Sequence, residues 1–154
     1  MCTLLYQVIP EGIKNPSYKE VCTGNTGHAE VCQVTYDPKI ITLKEILEVY
    51  WKTHDPTTLN RQGGDVGTQY RSVIFYHNDD QRKYAEDMKD RLEKAHVWEN
   101  PIVTQIVPFE SFYKAEDYHQ EYYFNNSSQP YCSVVITPKL EKFRKVFSDK
   151  LKEK

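Results

Sequence analysis

Apolar side chains recur along residues 43–51 at Leu43, Ile46, Leu47, Tyr50 and Trp51, the spacing that gathers side chains on one face of an α-helix. Thr42 and Glu45 stand just before and within the first turn as a capping box, so the pattern predicts a helix over about 43–53. The preceding stretch HAEVCQVTY alternates instead. Glu30, Cys32, Val34 and Tyr36 fall on one face and Ala29, Val31, Gln33 and Thr35 on the other, which predicts a strand over 28–36 ending at the turn Asp-Pro-Lys. YRSVIFYH reads as a short apolar strand over 70–77. NDDQRKYAEDMKDRLEKAH reads as a solvated helix near 79–96, with Tyr84, Ala85, Met88, Leu92 and Ala95 as its stripe. PIVTQIVP is a strand over 102–108 between prolines, KAEDYHQEYY a short helix, and YCSVVIT a further strand or extended segment. PKLEKFRKVFSDKLKEK closes the chain as a helix with proline at its start and Leu140, Phe143, Phe147 and Leu151 inward.

Strands that alternate with helices, too few and too widely interrupted for a large parallel sheet, predict an α/β (α+β) domain. The expected architecture is a two-layer sandwich: a small mixed sheet containing 28–36, 70–77 and 102–108, with the helices near 43–53 and 79–96 packed on it. At 154 residues the chain is expected to form one domain over 1–154.

Charge and cysteine usage narrow the chemistry. Twenty basic and 22 acidic residues are spread along the chain for a net charge of -2, which gives no electrostatic footprint for nucleic acid or an anionic membrane. No apolar run is long enough to span a bilayer, and MCTLLYQVIPEG lacks the basic n-region and h-region of a signal peptide, so the expectation is a cytoplasmic protein. Cys2, Cys22, Cys32 and Cys132 show no Cys-x-x-Cys spacing, so neither a metal site nor a disulfide framework is expected. Several of the 12 tyrosines sit beside acids or amides, where a phenol can donate a hydrogen bond in a pocket; most fit core or interface positions equally well.

One stretch fits none of these elements. HDPTTLNRQGGDVGTQYRS, residues 54–72, is nearly all turn-formers, amides and hydroxyls, and connections of that length in compact domains are usually functional or disordered. It runs directly into the apolar strand at 70–77, which argues against disorder.

Together with NPSYKEVCTGNTGHAEVCQVTYDP and FYKAEDYHQEYY, this loop resembles the peptide methionine sulfoxide reductase A family, from about Asn15 to the C-terminus at 154 and in the family's order. The resemblance implies thiol-dependent reduction of methionine S-sulfoxide, free or in proteins, as repair of oxidative damage. It also implies no bound cofactor or metal, with thioredoxin or another dithiol as external reductant. A thiolate attacks the sulfur while the oxygen accepts a proton, so the site needs an acid. The resemblance assigns that role to Glu30, and burial is the standard way to keep such a carboxyl protonated near neutral pH. Tyr18 and Tyr70 would donate hydrogen bonds to the sulfoxide oxygen, Asp65 and His119 would bind substrate, and Cys132 lies near the family's recycling thiol. Without the resemblance, Glu30 reads as a solvent-facing strand glutamate and His119 as a helix-surface histidine.

In one respect the chain departs from the pattern. The family carries its nucleophile in a Gly-Cys-Phe-Trp motif, and the sequence holds no such run. The expectation is a ferredoxin-like core missing its first strand and helix, with two outcomes open: a reductase, or a chain that binds methionine sulfoxide without turnover. Cys22 and Cys32 are the thiols nearest the site motifs in sequence, although a strand cysteine beside a buried acid is poorly placed to form thiolate.

Overall fold

The computed structural model describes residues 2–7 and 16–148; side-chain placement at 2–7, Tyr18 and His119 lies outside that description. By contact the chain groups into two units, Met1–Glu116 and Asp117–Lys154.

In the first unit, β1 (Cys2–Gln7) lies between β2 (Ala29–Val34) and β7 (Phe112–Lys114), antiparallel to both. Between β1 and β2 comes the short helix α1 (Tyr18–Cys22), started by a capping box of Ser17 and Glu20. Helix α2 (Leu43–Thr53) begins as its sequence requires, with the Thr42 side chain accepting from the Glu45 amide and the Glu45 carboxylate accepting from Thr42. A small hairpin, β3 (Arg61–Gln62) with β4 (Asp65–Val66), interrupts the polar loop, and a 3₁₀ turn at Thr68–Tyr70 ends it. Then β5 (Val73–Tyr76), α3 (Asp79–Lys94) and β6 (Gln105–Pro108) form a βαβ unit whose strands pair in parallel. Leu47 and Trp51 of α2, Ala85 of α3 and Ile102 make the buried centre, with Leu43, Tyr50, Ile74, Met88, Leu92, Trp98 and Ile106 packed around it.

The mixed α/β class is as expected, with a different strand pairing. Strand 29–34 shares no sheet with 73–76 and 105–108 among the described residues; it pairs with β1 instead. Alternation along 28–36 defines two unlike faces and says nothing of the partner, which non-local pairing decides. On α3 only part of the stripe turns inward: Ala85 is buried, whereas Tyr84 and Ala95 are exposed.

In the second unit, the short helix expected over KAEDYHQEYY is broken. A 3₁₀ turn at Asp117–His119 and α4 (Tyr122–Asn126) are separated by Glu121 at φ 51°. The segment expected to be extended, Cys132–Ile136, is instead a π-helical turn leading into α5 (Thr137–Val146). Its Val-Val-Ile run favours strand locally, but among the described residues of this unit it has no neighbouring strand to pair with, and Pro138 suits the first turn of the helix that follows. Phe147 is buried and stacks on Phe143 at 5.1 Å between ring centres; Leu151 lies outside the described residues.

Candidate functional site

Two segments of the first unit build the site: the turn from Cys22 to His28 that leads into β2, and the end of the polar loop at 65–72. Three side chains of the second segment hold backbone carbonyls of the first. Thr68 Oγ1 donates to Gly24 O at 2.8 Å, Gln69 Nε2 to Cys22 O at 3.3 Å, and the Arg71 guanidinium to Gly27 O at 3.0 Å and His28 O at 3.1 Å. Carbonyls in an irregular turn have no ladder partner, so these side chains meet an obligatory hydrogen-bonding need and dock the loop at the same time.

Gly67 makes this docking sterically possible. Its φ of +149° lies where L side chains are strained, and a β-carbon there would collide with the buried Gln69 amide. The base of the loop is fixed separately. Asp55 and Gln62 exchange two hydrogen bonds of 3.1 Å, and the Gly67 amide donates to Asn60 O at 2.9 Å.

The result brings Glu30, Asp65 and Tyr70 into one electrostatic neighbourhood. Partial burial pushes the Glu30 carboxyl above the ordinary glutamate range, and the Asp65 charge pushes it further. Burial also raises the Tyr70 phenol, followed by the charges of Glu30, Cys22 and Asp65. Both shifts favour the protonated forms, an acid that can give up a proton and a phenol that can donate a hydrogen bond.

Of the other residues expected at the site, Tyr18 opens α1 on the segment that ends at Cys22. His119 ends the 3₁₀ turn of the second unit, and Cys132 is a free thiol wholly buried in that unit's π-helical turn. Cys22 is free and exposed. Cys32, contrary to expectation, is disulfide-bonded, so its sulfur offers no thiolate. Two further groups lie within the polar stretch 54–72 but receive no role from it in the sequence. Arg71 reads in sequence as the polar edge of an apolar strand; the signal that could have marked it is a cation directly before buried Ser72 and Val73. His54, at the end of α2, is half-buried with Nε2 2.8 Å from Ser72 Oγ.

Comparison with known proteins agrees with the motifs. A family-wide profile described as peptide methionine sulfoxide reductase matches residues 11–151. Peptide methionine sulfoxide reductase MsrA of Saccharolobus solfataricus is 56% identical over 140 residues, covering 91% of this chain and 78% of the relative. The Trichodesmium erythraeum protein of the same name is 50% identical over 138 residues, 90% of this chain and 78% of its own. Among solved structures, reduced Mxr1 of Saccharomyces cerevisiae superposes with a TM-score of 0.77 at 43% identity, over 85% of this chain and 74% of that one. The chain belongs to the peptide methionine sulfoxide reductase A family.

Proposed function

We propose that the protein is a peptide-methionine (S)-S-oxide reductase whose acid is Glu30. The observation that carries this reading is a glutamate whose protonated form is favoured by burial and by Asp65, with the Tyr70 phenol in the same neighbourhood. In the proposed reaction a thiolate attacks the sulfoxide sulfur, Glu30 gives its proton to the oxygen, and that oxygen passes as hydroxyl to the thiol sulfur as its bond to the methionine sulfur breaks. Methionine leaves and the thiol becomes a sulfenic acid; a second thiol condenses with it, forming a disulfide and releasing water. An external dithiol, thioredoxin by our reading, then reduces that disulfide. Tyr70 and Tyr18 donate hydrogen bonds to the oxygen, where charge develops. Asp65 and His119 bind the substrate, a methionine sulfoxide in a polypeptide or free, and Cys132 is the recycling thiol.

The family match runs through both units, which supports reading them as one reductase domain. No helix among the described residues is long and apolar enough to cross a membrane, which supports the cytoplasmic reading.

The test is reduction of a methionine S-sulfoxide peptide by the purified full chain with a dithiol, followed by mass spectrometry of the peptide. The sequence holds no Gly-Cys-Phe-Trp nucleophile, so a reductase would turn the peptide over through another thiol, and where it does Glu30→Gln should slow turnover by a factor of about 10²–10⁴, the usual worth of general acid catalysis. A peptide that binds and is never reduced would replace the reductase with a sulfoxide-binding protein.

A further inference from the structure

Arg71 is half-buried and makes no ion pair among the described residues; all its hydrogen bonds there go to backbone carbonyls. A single nitrogen, Nη1, donates to two of them, His28 O at 3.1 Å and Thr68 O at 2.8 Å, while Nη2 donates to Gly27 O at 3.0 Å. Each bridged carbonyl lies two residues before a group of the site: His28 before Glu30, and Thr68 before Tyr70. Burying a guanidinium is costly, and burial here holds its pKa below the ordinary arginine value, so a purely solubilising cation would have turned outward.

We propose that Arg71 is a positioning residue: by clasping the Gly27, His28 and Thr68 carbonyls it sets the approach of Glu30 to Tyr70 and Asp65. The bridge depends on the planar fork of the guanidinium, which presents several donors at fixed angles, and a lysine ammonium does not reproduce it. The contacts of Thr68 with Gly24 and of Gln69 with Cys22 are independent of Arg71. Its loss therefore leaves the two segments docked at 22–24 and frees only the 27–28 end, next to Glu30. This inference rests on Glu30 as the acid, but its main readout needs no turnover.

The experiment uses the full chain, with Arg71→Ala and Arg71→Lys, and follows the Glu30 carboxyl by ¹³C NMR across pH; the resonance is assigned by its loss in Glu30→Gln. In both variants the midpoint should fall from its raised position toward that of an ordinary glutamate, as the carboxyl moves toward water and away from Asp65. Millimolar guanidinium ion should restore it in Arg71→Ala. A merely structural staple would lower thermal stability and leave the midpoint of the folded variant unchanged, which would overturn the proposal. A midpoint that rises would overturn it too, because Arg71 would then act as a nearby charge. If Arg71→Ala does not fold, the midpoint in Arg71→Lys, which keeps the charge and most of the stem, decides between these outcomes. In turnover, kcat should fall by about 10–100-fold with KM little changed, the cost of misplacing a reacting group by a fraction of an ångström. Absence of turnover in the unsubstituted chain would defeat the reductase reading alone, since the NMR midpoint still decides the role of Arg71.

Discussion

His54 Nε2 lies 2.8 Å from Ser72 Oγ, joining the two ends of the polar loop side chain to side chain across 18 positions. The His54 Nδ1 faces the Tyr50 carbonyl, which only accepts, so Nδ1 carries the hydrogen and Nε2 accepts from the Ser72 hydroxyl. Ser72 Oγ is also 2.7 Å from Thr104 Oγ1 and 3.0 Å from Tyr50 Oη, so the clasp is tied to α2 and to the residue before β6. The network suits neutral groups: burial pushes His54 below the ordinary histidine value and Tyr50 up to about 12.

His54→Ala should therefore cost about 1–3 kcal/mol, because it leaves buried hydroxyls short of a partner. Amide exchange at Gly67 and Tyr70, which close the end of the loop, should quicken in the same variant. Unchanged exchange there would mean that the hairpin and the Asp55–Gln62 pair hold the loop alone.

The same residue sets a pH dependence. Its folded pKa is depressed, so below the ordinary histidine value the unfolded chain binds more protons than the folded one. The stability contribution is full above that value and is lost as pH falls toward the folded pKa. Urea unfolding of the wild type minus that of His54→Asn should show the loss; a flat difference between pH 7.5 and 5 would rule it out.

Gly67→Ala should destabilise the chain and displace Tyr70, since the new methyl group meets the Gln69 amide at a backbone angle that L residues avoid. In a Gln69→Ala background the collision disappears and only the backbone strain remains, so the cost of Gly67→Ala should shrink without vanishing. Gly64→Ala is the control: its β-carbon would meet nothing within 4 Å, and the melting temperature should stay put.

What could be read from the sequence depended on the range of the interaction that fixes each feature. The start of α2 was legible because Thr42 and Glu45 satisfy each other three residues apart. The βαβ unit was legible because its periods switch cleanly between two and 3.6. The pairing of β2 with β1, Tyr6 opposite Glu30, was not, because it joins residues far apart in sequence and residues 2–7 carry no distinctive alternation. Val134, Val135 and Ile136 suggest a strand through their branching, but that preference holds only where a pleated neighbour exists. Glu30, Asp65 and Tyr70 stand in motifs that a sequence displays. Arg71 and His54 stand in the same loop stretch, but their roles were not legible, because their partners are carbonyls and hydroxyls whose positions only the fold defines.

Glu30→Gln should change stability with a sign opposite to that of a salt-bridged carboxylate. The folded pKa is raised, so the contribution of Glu30 is fully present below the ordinary glutamate value and is lost as pH rises through the folded pKa. The amide removes that loss, and the variant should gain stability relative to wild type between acid and neutral pH while losing activity. Turnover of the wild type should decline as pH rises through the same ionisation. A variant destabilised more at pH 7 than at pH 4 would mean that the carboxylate is favoured by the fold, and Glu30 would lose its claim as the acid.

The last prediction concerns the thiols. Cys22 is exposed and Cys132 wholly buried, though both are free. Around Cys132 the backbone is bonded on both sides, Ser133 N to Gln129 O at 3.0 Å and Thr137 Oγ1 to Cys132 O at 3.0 Å, so its sulfur reaches a reagent only by opening of the π-helical turn. Recycling through Cys132 requires that opening twice, once to meet the sulfenic sulfur and once to admit the external dithiol. Iodoacetamide on the native protein should modify Cys22 faster than Cys132 by roughly a hundredfold, the population ratio of a local opening costing about 2.8 kcal/mol. Cys132→Ser should leave reduction driven by a small dithiol unchanged and slow reduction driven by thioredoxin, because the small reductant can reach a sulfenic acid directly. Equal labelling of the two cysteines would show that the turn is open in solution. Loss of thioredoxin-driven turnover in Cys22→Ser, with Cys132→Ser unaffected, would transfer the recycling role to the exposed thiol beside Tyr70.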